Sequence, residues 1–489
     1  MEHIEYGDIP LDTFREYGHE LIEWVARYLE HPEQYPVLAQ VKPGEIHAAL
    51  PESPPAERES LDEILADFHE TILPGVTHWN HPGFFAYFAI TSSAPGILAE
   101  LLSAALNVNG MLWKTSPSAT ELEEVALDWL RQMLGLGDGW FGIINDTASI
   151  SSLLALAAAR EWKPELQIRQ KGMAGRDDLP VLRVYTSEQS HSSIDKAAIM
   201  LGMGHENVVH IEVDEQFRMR PESLHKAIRA DKAAGHLPIA TVATVGTTST
   251  TSIDPVRAIA DICKDEGLWL HVDGAYGGVA AVVPEMQWIL DGIELAHSLV
   301  VNPHKWLFTP IDLSAFFTRH PDVLKRAFSL VPEYLVTAEQ DEVTNFMDYG
   351  VQLGRCFRAL KLWMVIRAFG VEGIAARLRG HIAMAQQFAR WVDAAKEWER
   401  VAPTPFSTVC FRYAPDGVED VTINEWNEQI LNDVNASGEV YLSHTKLHDK
   451  FTLRLAIGNI RTEPHHVERA WHLLQKATEE VKQRALHEL

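Results

Sequence analysis

The sequence predicts an α/β protein, a mostly parallel sheet covered by helices, with an N-terminal helical arm before it and a small C-terminal α+β domain after it. Three observations carry this. In the middle of the chain, apolar strand-like runs alternate with helical ones: "WFGIIN" with "SISSLLALAAARE", "LPVLRVYTSE" with "DKAAIMLGMG", "PIATVATVG" with "PVRAIADICKDEG", then "LWLHVDGAY" and "HSLVVNP". Ahead of them, Leu11, Phe14, Leu21, Trp24, Val25 and Tyr28 recur at helical spacing between Leu11 and Glu30. Beyond about Gly370, the helical run "IAARLRGHIAMAQQFARWVDAAKEW" gives way to the short strands "TVCFRY" and "FTLRLAIG" and a last helix, "EPHHVERAWHLLQKATEEV". The expected division is residues 1–85 for the arm, 86–370 for the large domain and 371–489 for the small one.

The arm's apolar helical face has no obvious partner nearby in sequence. Pro32, Pro36, Pro43, Pro51, Pro54 and Pro55 follow it and read as an extended connection. Ser60 with Glu63 then forms a capping box that starts the next helix. Helices joined by extended chain suit an arm that embraces a second subunit, so a homodimer is expected.

Composition excludes several function classes. With 42 Lys and Arg against 68 Asp and Glu, the formal charge of -26 repels phosphate backbones, so neither nucleic acid nor an anionic membrane is an expected partner. Cys263, Cys356 and Cys410 lie far apart without CxxC spacing, which suggests neither a disulfide framework nor a zinc ribbon. The start lacks the basic and apolar regions of a signal peptide, and no segment stays apolar long enough to span a bilayer; a mature cytoplasmic protein is expected. Among 23 histidines, "HWNH" and "EPHHVE" lack HExxH spacing and cysteine neighbours, so no metal is expected.

Chemistry concentrates at predicted strand ends. Asp273 ends "LWLHVD", Lys305 follows "SLVVNPH", and the "NDTAS" turn from Asn145 to Ser149 feeds an alanine-rich helix. Small and hydroxylated residues at a helix N-terminus suit a phosphate, although such turns also serve as plain caps. Asp273 equally suits a turn cap. Lys305, beside Pro303, Trp306, Leu307 and Phe308, would be desolvated and thereby a nucleophile, unless it snorkels to water or pairs with a carboxylate. Pyridoxal phosphate needs all three features together: an amine for covalent attachment, a carboxylate to keep its ring nitrogen protonated, and an anion cradle. Gly274, Ala275, Gly277 and Gly278 are small enough for backbone to lie close to a flat ring. His191, in "SEQSHSSIDKA", is a candidate to stack on that ring.

The segments "HVDGAYGG", "NPHKW", "NDTAS", "SEQSHSSIDKA", "HPGFFAYF" and "SPSATELE" resemble the group II pyridoxal-phosphate-dependent decarboxylase family, most closely its aromatic L-amino acid decarboxylase branch. The resemblance runs from about Leu11 to the final helix. It implies a fold-type I homodimer with shared active sites and a swapped N-terminal arm. By position it implies that Lys305 holds the cofactor covalently, Asp273 its ring nitrogen, and His191 and Ala275 its two ring faces. Thr147, Ala148, Ser149, Asn302 and His304 match phosphate-side positions, and Thr247 in "VGTTST" a threonine near the cofactor. Trp79, Tyr87 and Phe88 match the aromatic lining of the substrate pocket, Met111 a residue reaching in from the partner subunit, and Arg454 a substrate-side arginine.

Two departures bear on the product and the substrate. Aligned on Leu353, Gly354, Arg355 and Phe357, the stretch "EVTNFMDYGVQLGRCFRALKLW" puts Phe346 where the family's mobile loop carries a proton-donating tyrosine. Phenylalanine there is similar to the plant aromatic aldehyde synthases, which release aldehyde, ammonia and peroxide. Tyr349, three residues on, or His191 offers an alternative acid, and decarboxylation to the amine is the main expectation. Ala89 and Ile90 stand where the similar animal enzymes have proline and threonine. Losing that hydroxyl favours phenylalanine or tryptophan over dopa as substrate, because an unpaired polar group is costly to bury. Another fold-type I enzyme, or a non-catalytic dimer, is the competing class.

Overall fold

The computed structural model describes residues 8–330, 338–339 and 342–488, so the first seven residues, which belong to the stretch read for a signal peptide, lie outside them. The chain divides into two compact units, one made of residues up to Phe84 with Gln429–Leu442 and Arg461–Leu489, the other of Phe85–Glu428 with Ser443–Ile460.

In the first unit the predicted amphipathic helix spans Leu11–Glu30, and none of its residues is buried. Leu11 and Phe14 are 77% and 60% exposed, so much of the apolar stripe lacks a packing partner. Trp24 does stack on Tyr28, with ring centroids 5.5 Å apart. The capping box forms as expected: Glu63 N–H donates to Ser60 Oγ at 3.2 Å and Ser60 N–H to Glu63 Oε2 at 2.9 Å. The proline-rich connection is less extended than expected. It holds a 3-10 turn at Pro32–Gln34, where proline at the first helical position gives up no hydrogen bond, and a short helix at Glu45–Ala49 that starts beyond Pro43, after Gly44.

The second unit is built on a seven-stranded sheet. Its strands are β1 (Phe141–Asn145), β2 (Leu182–Ser187), β3 (Val208–Ile211), β4 (Leu237–Thr244), β5 (Trp269–Asp273), β6 (Ser298–Val301) and β7 (Ser314–Thr318), in the spatial order β1-β7-β6-β5-β4-β2-β3. From β6 through β5, β4 and β2 to β3 every pairing is parallel, while β7 runs antiparallel to both β6 and β1. The sheet is therefore mostly parallel, as expected. β7, the strand "SAFFT", is an addition to the predicted set and is buried along its whole length. Helices such as Ala148–Glu161 and Val256–Glu266 cover the sheet, and the apolar residues of "LWLHVD" are fully enclosed.

Further strands form an antiparallel ladder in this unit: β8 (Trp398–Arg400), β9 (Thr408–Tyr413), β10 (Tyr441–Leu447, in this unit from Ser443) and β11 (Lys450–Ala456). β9 pairs with β8 and β11, and β11 with β10 from Ser443 onward. The helix Ala359–Ala394 that leads into them breaks at Gly370, where φ of +63° and ψ of 163° leave the helical region.

Candidate active site

The parallel pairing of β5 and β6 puts the candidate acid and amine side by side. Asp273 is the last residue of β5 and lies opposite Val300 of β6. Beyond the strands their loops stay stitched together: Gly274 N–H donates to Val300 O at 3.0 Å, and Asn302 N–H to Ala275 O at 3.1 Å. The one-turn helix Pro303–Trp306 then presents Lys305, whose N–H donates to Asn302 O at 2.9 Å. Strand ends of a parallel sheet are where such folds bind ligands.

Asp273 is buried, and its Oδ1 accepts the Ala275 N–H at 3.0 Å. Loss of hydration holds the Lys305 amine below its ordinary value, and the Asp273 carboxylate partly offsets this by favouring the charged form. His191 senses the same two groups. Desolvation depresses its imidazole, Asp273 pulls it up and Lys305 pushes it down, although part of the residue is exposed. Its Nδ1 accepts the Ser193 N–H at 3.1 Å, which fixes the ring at the start of the helix Ser193–Met200. Lys305, Asp273 and His191 thus form one electrostatic cluster.

Aromatic rings flank it. Lys305 Nζ stands 5.4 Å from the Phe88 centroid and the Arg454 guanidinium carbon 5.1 Å from the same ring. Phe88 stacks on Tyr276 at 3.8 Å, Tyr276 on Trp306 at 5.0 Å, and Trp306 Nε1 donates to His381 Nδ1 at 2.9 Å. Arg454 is buried; its Nε donates to Ser249 O at 2.7 Å and its Nη1 to Tyr87 O at 3.3 Å, leaving Nη2 buried and without a partner among the described residues. Tyr87 is held at φ +49°, a conformation that costs a side-chain-bearing residue free energy. Ala89 is enclosed and Ile90 half-buried.

Among the residues expected on the phosphate side, Thr147 precedes the helix Ala148–Glu161 and makes no side-chain cap to it, so the first-turn N–H groups of Ala148 and Ser149 stand at an uncapped N-terminus. Asn302 Oδ1 is buried and has no partner among the described residues. His304 is differently engaged: its Nδ1 accepts the Leu313 N–H at 2.9 Å, and burial together with Lys305 pushes its imidazole down to about 3. Thr247 is committed to its own turn, its Oγ1 accepting the Ser252 N–H at 2.9 Å.

Several expected residues make contacts of their own. Trp79 belongs to the other unit, where its ring stacks on Phe84 at 4.3 Å. Met111 packs with Leu112 and Met347. Phe346 is buried in the apolar cluster of Ile143, Leu154 and Phe316, 6.2 Å from the Phe141 ring, and the Tyr349 ring lies tilted 4.6 Å from the same ring. None of these contacts involves Lys305 or Asp273. The glycines after Asp273 also differ from expectation: a Cβ on Gly277 would meet Val245 O at 2.6 Å and one on Gly278 the Val301 side chain at 2.6 Å. They let neighbouring loops pack closely, so the space they leave is filled by protein.

Sequence reasoning missed Tyr276, which sits inside "HVDGAYGG" and could have been found there, and His381, which lies in mid-helix with no local signal.

A buried amine that senses a strand-end carboxylate, with an uncapped helix N-terminus and orphaned polar atoms at Asn302 and Arg454, fits the requirements of pyridoxal phosphate, and the fold and site define an α/β enzyme of the pyridoxal-phosphate-dependent class. Comparison with known proteins agrees. Residues 43–414 match the pyridoxal-dependent decarboxylase conserved domain, and the chain belongs to that family. It is 41% identical to a phenylacetaldehyde synthase of Arabidopsis thaliana, over 96% of each chain. It is 38% identical to an aromatic-L-amino-acid decarboxylase of Catharanthus roseus, over 98% of this chain and 97% of that one. The crystal structure of Oryza sativa TDC with PLP and tryptamine superposes with a TM-score of 0.93 at 37% identity, covering 97% of this chain and 99% of that one. The protein is a pyridoxal-phosphate-dependent carboxy-lyase.

Proposed function

We propose that the enzyme decarboxylates an aromatic L-amino acid of the phenylalanine, tryptophan or tyrosine type, releasing carbon dioxide and the amine. The observation that carries this is the pairing of Asp273 and Lys305 at the ends of adjacent parallel strands, beside the Phe88 and Tyr276 rings. Bound pyridoxal phosphate supplies an electron sink for the bond to the substrate's carboxylate.

The chain's own residues do the rest. Lys305, kept short of its charge by desolvation, is the amine that attaches the cofactor. Asp273 holds a proton on the ring nitrogen, and the Ala275 N–H at 3.0 Å fixes the carboxylate's aim. His191 would cover one ring face and Ala275 the other. Thr147, Ala148, Ser149, Asn302 and His304 hold the phosphate, with Thr247 shaping the adjacent turn. Tyr87, Phe88, Ala89 and Ile90 would face the apolar side chain of the substrate, and Arg454 would offer its Nη2, unpartnered among the described residues, to an anionic or carbonyl oxygen of the substrate.

With this reading goes a homodimer, for which exposed apolar surface is the support. The helix Leu11–Glu30 leaves Leu11 and Phe14 exposed, and the helix Ala94–Leu106 exposes Leu98, Leu101, Leu102 and Leu106, apolar surface that a second subunit would cover. Residues 1–85 would be the swapped arm, 86–370 the cofactor domain and 371–489 the small domain. Met111, Phe346 and Tyr349 would then serve the partner's site. The acidic charge and three free cysteines fit a cytoplasmic location, and among the described residues no helix is long and apolar enough to cross a membrane.

Phe346 favours a second reading, in which amino acid, oxygen and water give aldehyde, carbon dioxide, ammonia and hydrogen peroxide. The test is to incubate holoenzyme with phenylalanine, tyrosine, tryptophan and dopa and to measure carbon dioxide, amine, aldehyde and peroxide together. Amine alone supports the main reading. Peroxide in proportion to aldehyde, reduced by Phe346→Tyr, supports the second, while keto acid without carbon dioxide would reject both.

A further inference from the structure

Away from the cofactor, two imidazoles converge on one carboxylate oxygen. Asp195 Oδ1 lies 3.0 Å from His210 Nε2 and 3.3 Å from His205 Nε2. The three residues come from separate elements of the same unit: the first turn of the helix Ser193–Met200, the 3-10 turn His205–Asn207 and strand β3. Their ligand atoms all lie within 4.8 Å of one another.

We propose that Asp195, His205 and His210 form a binding site for a divalent transition-metal ion of the zinc type, with water completing the coordination. The distances favour it. Two atoms bound to one zinc ion at about 2.1 Å sit about 3.0 to 3.4 Å apart, which is the spacing observed on both edges that share Asp195. Two imidazoles and a carboxylate suit zinc, cobalt or nickel, whereas magnesium and calcium take oxygen ligands. With three ligands on three elements, the ion also acts as a brace, tying the helix that follows His191 to strand β3. Ser193, in that same first turn, donates its N–H to His191 Nδ1, so the braced turn is the one that orients His191.

Tautomer chemistry separates this cluster from the other grouping of the kind among the described residues, Glu33, His465 and His466. There, His466 Nδ1 accepts the Glu463 N–H at 2.9 Å, so its Nε2 carries the proton that it shares with Glu33 at 2.7 Å. Binding a metal through that nitrogen would strip the proton from an imidazole whose other lone pair is already used. At Asp195 no backbone bond to either Nδ1 is formed among the described residues, so each ring can carry its proton on Nδ1 and present the Nε2 lone pair.

The test is titration of the holoenzyme with zinc, followed by calorimetry, and with cobalt, followed by its visible absorption, comparing the parent with Asp195→Asn, His205→Gln, His210→Gln and the His205→Gln, His210→Gln double variant. The expected result is one tight equivalent per chain that each single substitution weakens at least about tenfold and the double variant abolishes, while His466→Gln leaves it unchanged. Zinc should also raise the thermal midpoint of the parent and not of the double variant. Unchanged affinity in the double variant, or no tight equivalent in the parent, would overturn the proposal. The two histidines are exposed and Asp195 is partly buried, and unaltered cofactor absorbance in each variant confirms that it has folded.

Discussion

The guanidinium carbon of Arg355 lies 5.0 Å from the centroid of the Phe346 ring while its Nη2 pairs with Glu123, and all three side chains are buried. Glu123 Oε1 also accepts the Ile144 N–H of β1 at 2.8 Å, and Arg355 N–H donates to Asn109 Oδ1 at 2.9 Å. One arginine thereby fastens the Phe346 segment to the sheet and to the turn before Met111. Arg355→Met should lower stability by about 3 to 5 kcal/mol, because it leaves the Glu123 carboxylate buried and uncompensated. Adding Glu123→Gln should recover part of that loss. Urea midpoints of the parent, both single variants and the double variant check it; an additive double variant would mean that the pair is not coupled.

Asp273→Asn separates charge from shape. The Ala275 N–H can still donate to the amide oxygen, so the loop keeps its hydrogen bond while the carboxylate charge is lost. Turnover should fall by two orders of magnitude or more, as when a preorganised electrostatic partner is removed. Since Asp273 is what raises the Lys305 amine against desolvation, that amine should titrate still lower in the apo form of the variant. Rates of acylation of Lys305 against pH read this shift, and a shift upward would contradict the assigned sign.

Beneath Lys305, the Trp306 to His381 bond of 2.9 Å is fully enclosed. Trp306→Phe leaves His381 Nδ1 without its donor and should cost about 1 to 3 kcal/mol. His381→Leu should cost a similar amount by orphaning the indole N–H. The double variant should be less damaging than the two losses summed, because it removes both partners. Chemical denaturation of the four proteins decides it.

The parallel sheet was legible because its signal is local: "LWLHVD" and "PIATVATVG" are continuous apolar runs punctuated by turns, as strands covered on both faces must be. The capping box at Ser60 was legible for the same reason. Asp273 and Lys305 could be singled out because a charged residue at the end of an apolar run is costly to bury, and position alone makes that visible. What stayed hidden depends on contacts far apart in sequence. His381 meets Trp306 across 75 positions, Arg355 meets Glu123 across 232, and the antiparallel strand Ser314–Thr318 is too short and uniformly apolar to show a period. The glycines of "HVDGAYGG" were visible, yet what they pack against, Val245 and Val301, comes from other strands and only the fold reveals it.

Acid should weaken the fold through a set of buried imidazoles. Burial pushes His271, His297 and His381 down to about 4 and His304 to about 3, whereas each takes up a proton near 6.5 once the chain unfolds. Between about pH 6.5 and pH 4 the unfolded chain therefore binds more protons than the folded one. Stability from these groups is complete above about 6.5 and is lost as pH falls through that window, by up to about 1.4 kcal/mol per pH unit for each imidazole. Asp254 acts in the opposite sense. Its carboxyl is pushed up to about 6 by burial, although it accepts N–H groups from Met219 at 2.7 Å and Thr244 at 2.8 Å, so its contribution is present below about 3.8 and lost as pH rises through 6. Four imidazoles against one carboxyl give a net loss on acidification. The urea midpoint should fall steadily from pH 7 to pH 4.5, and Asp254→Asn should make the fall steeper by removing the opposing group. A midpoint that stays level or rises over that range would show that these imidazoles are protonated in the folded protein.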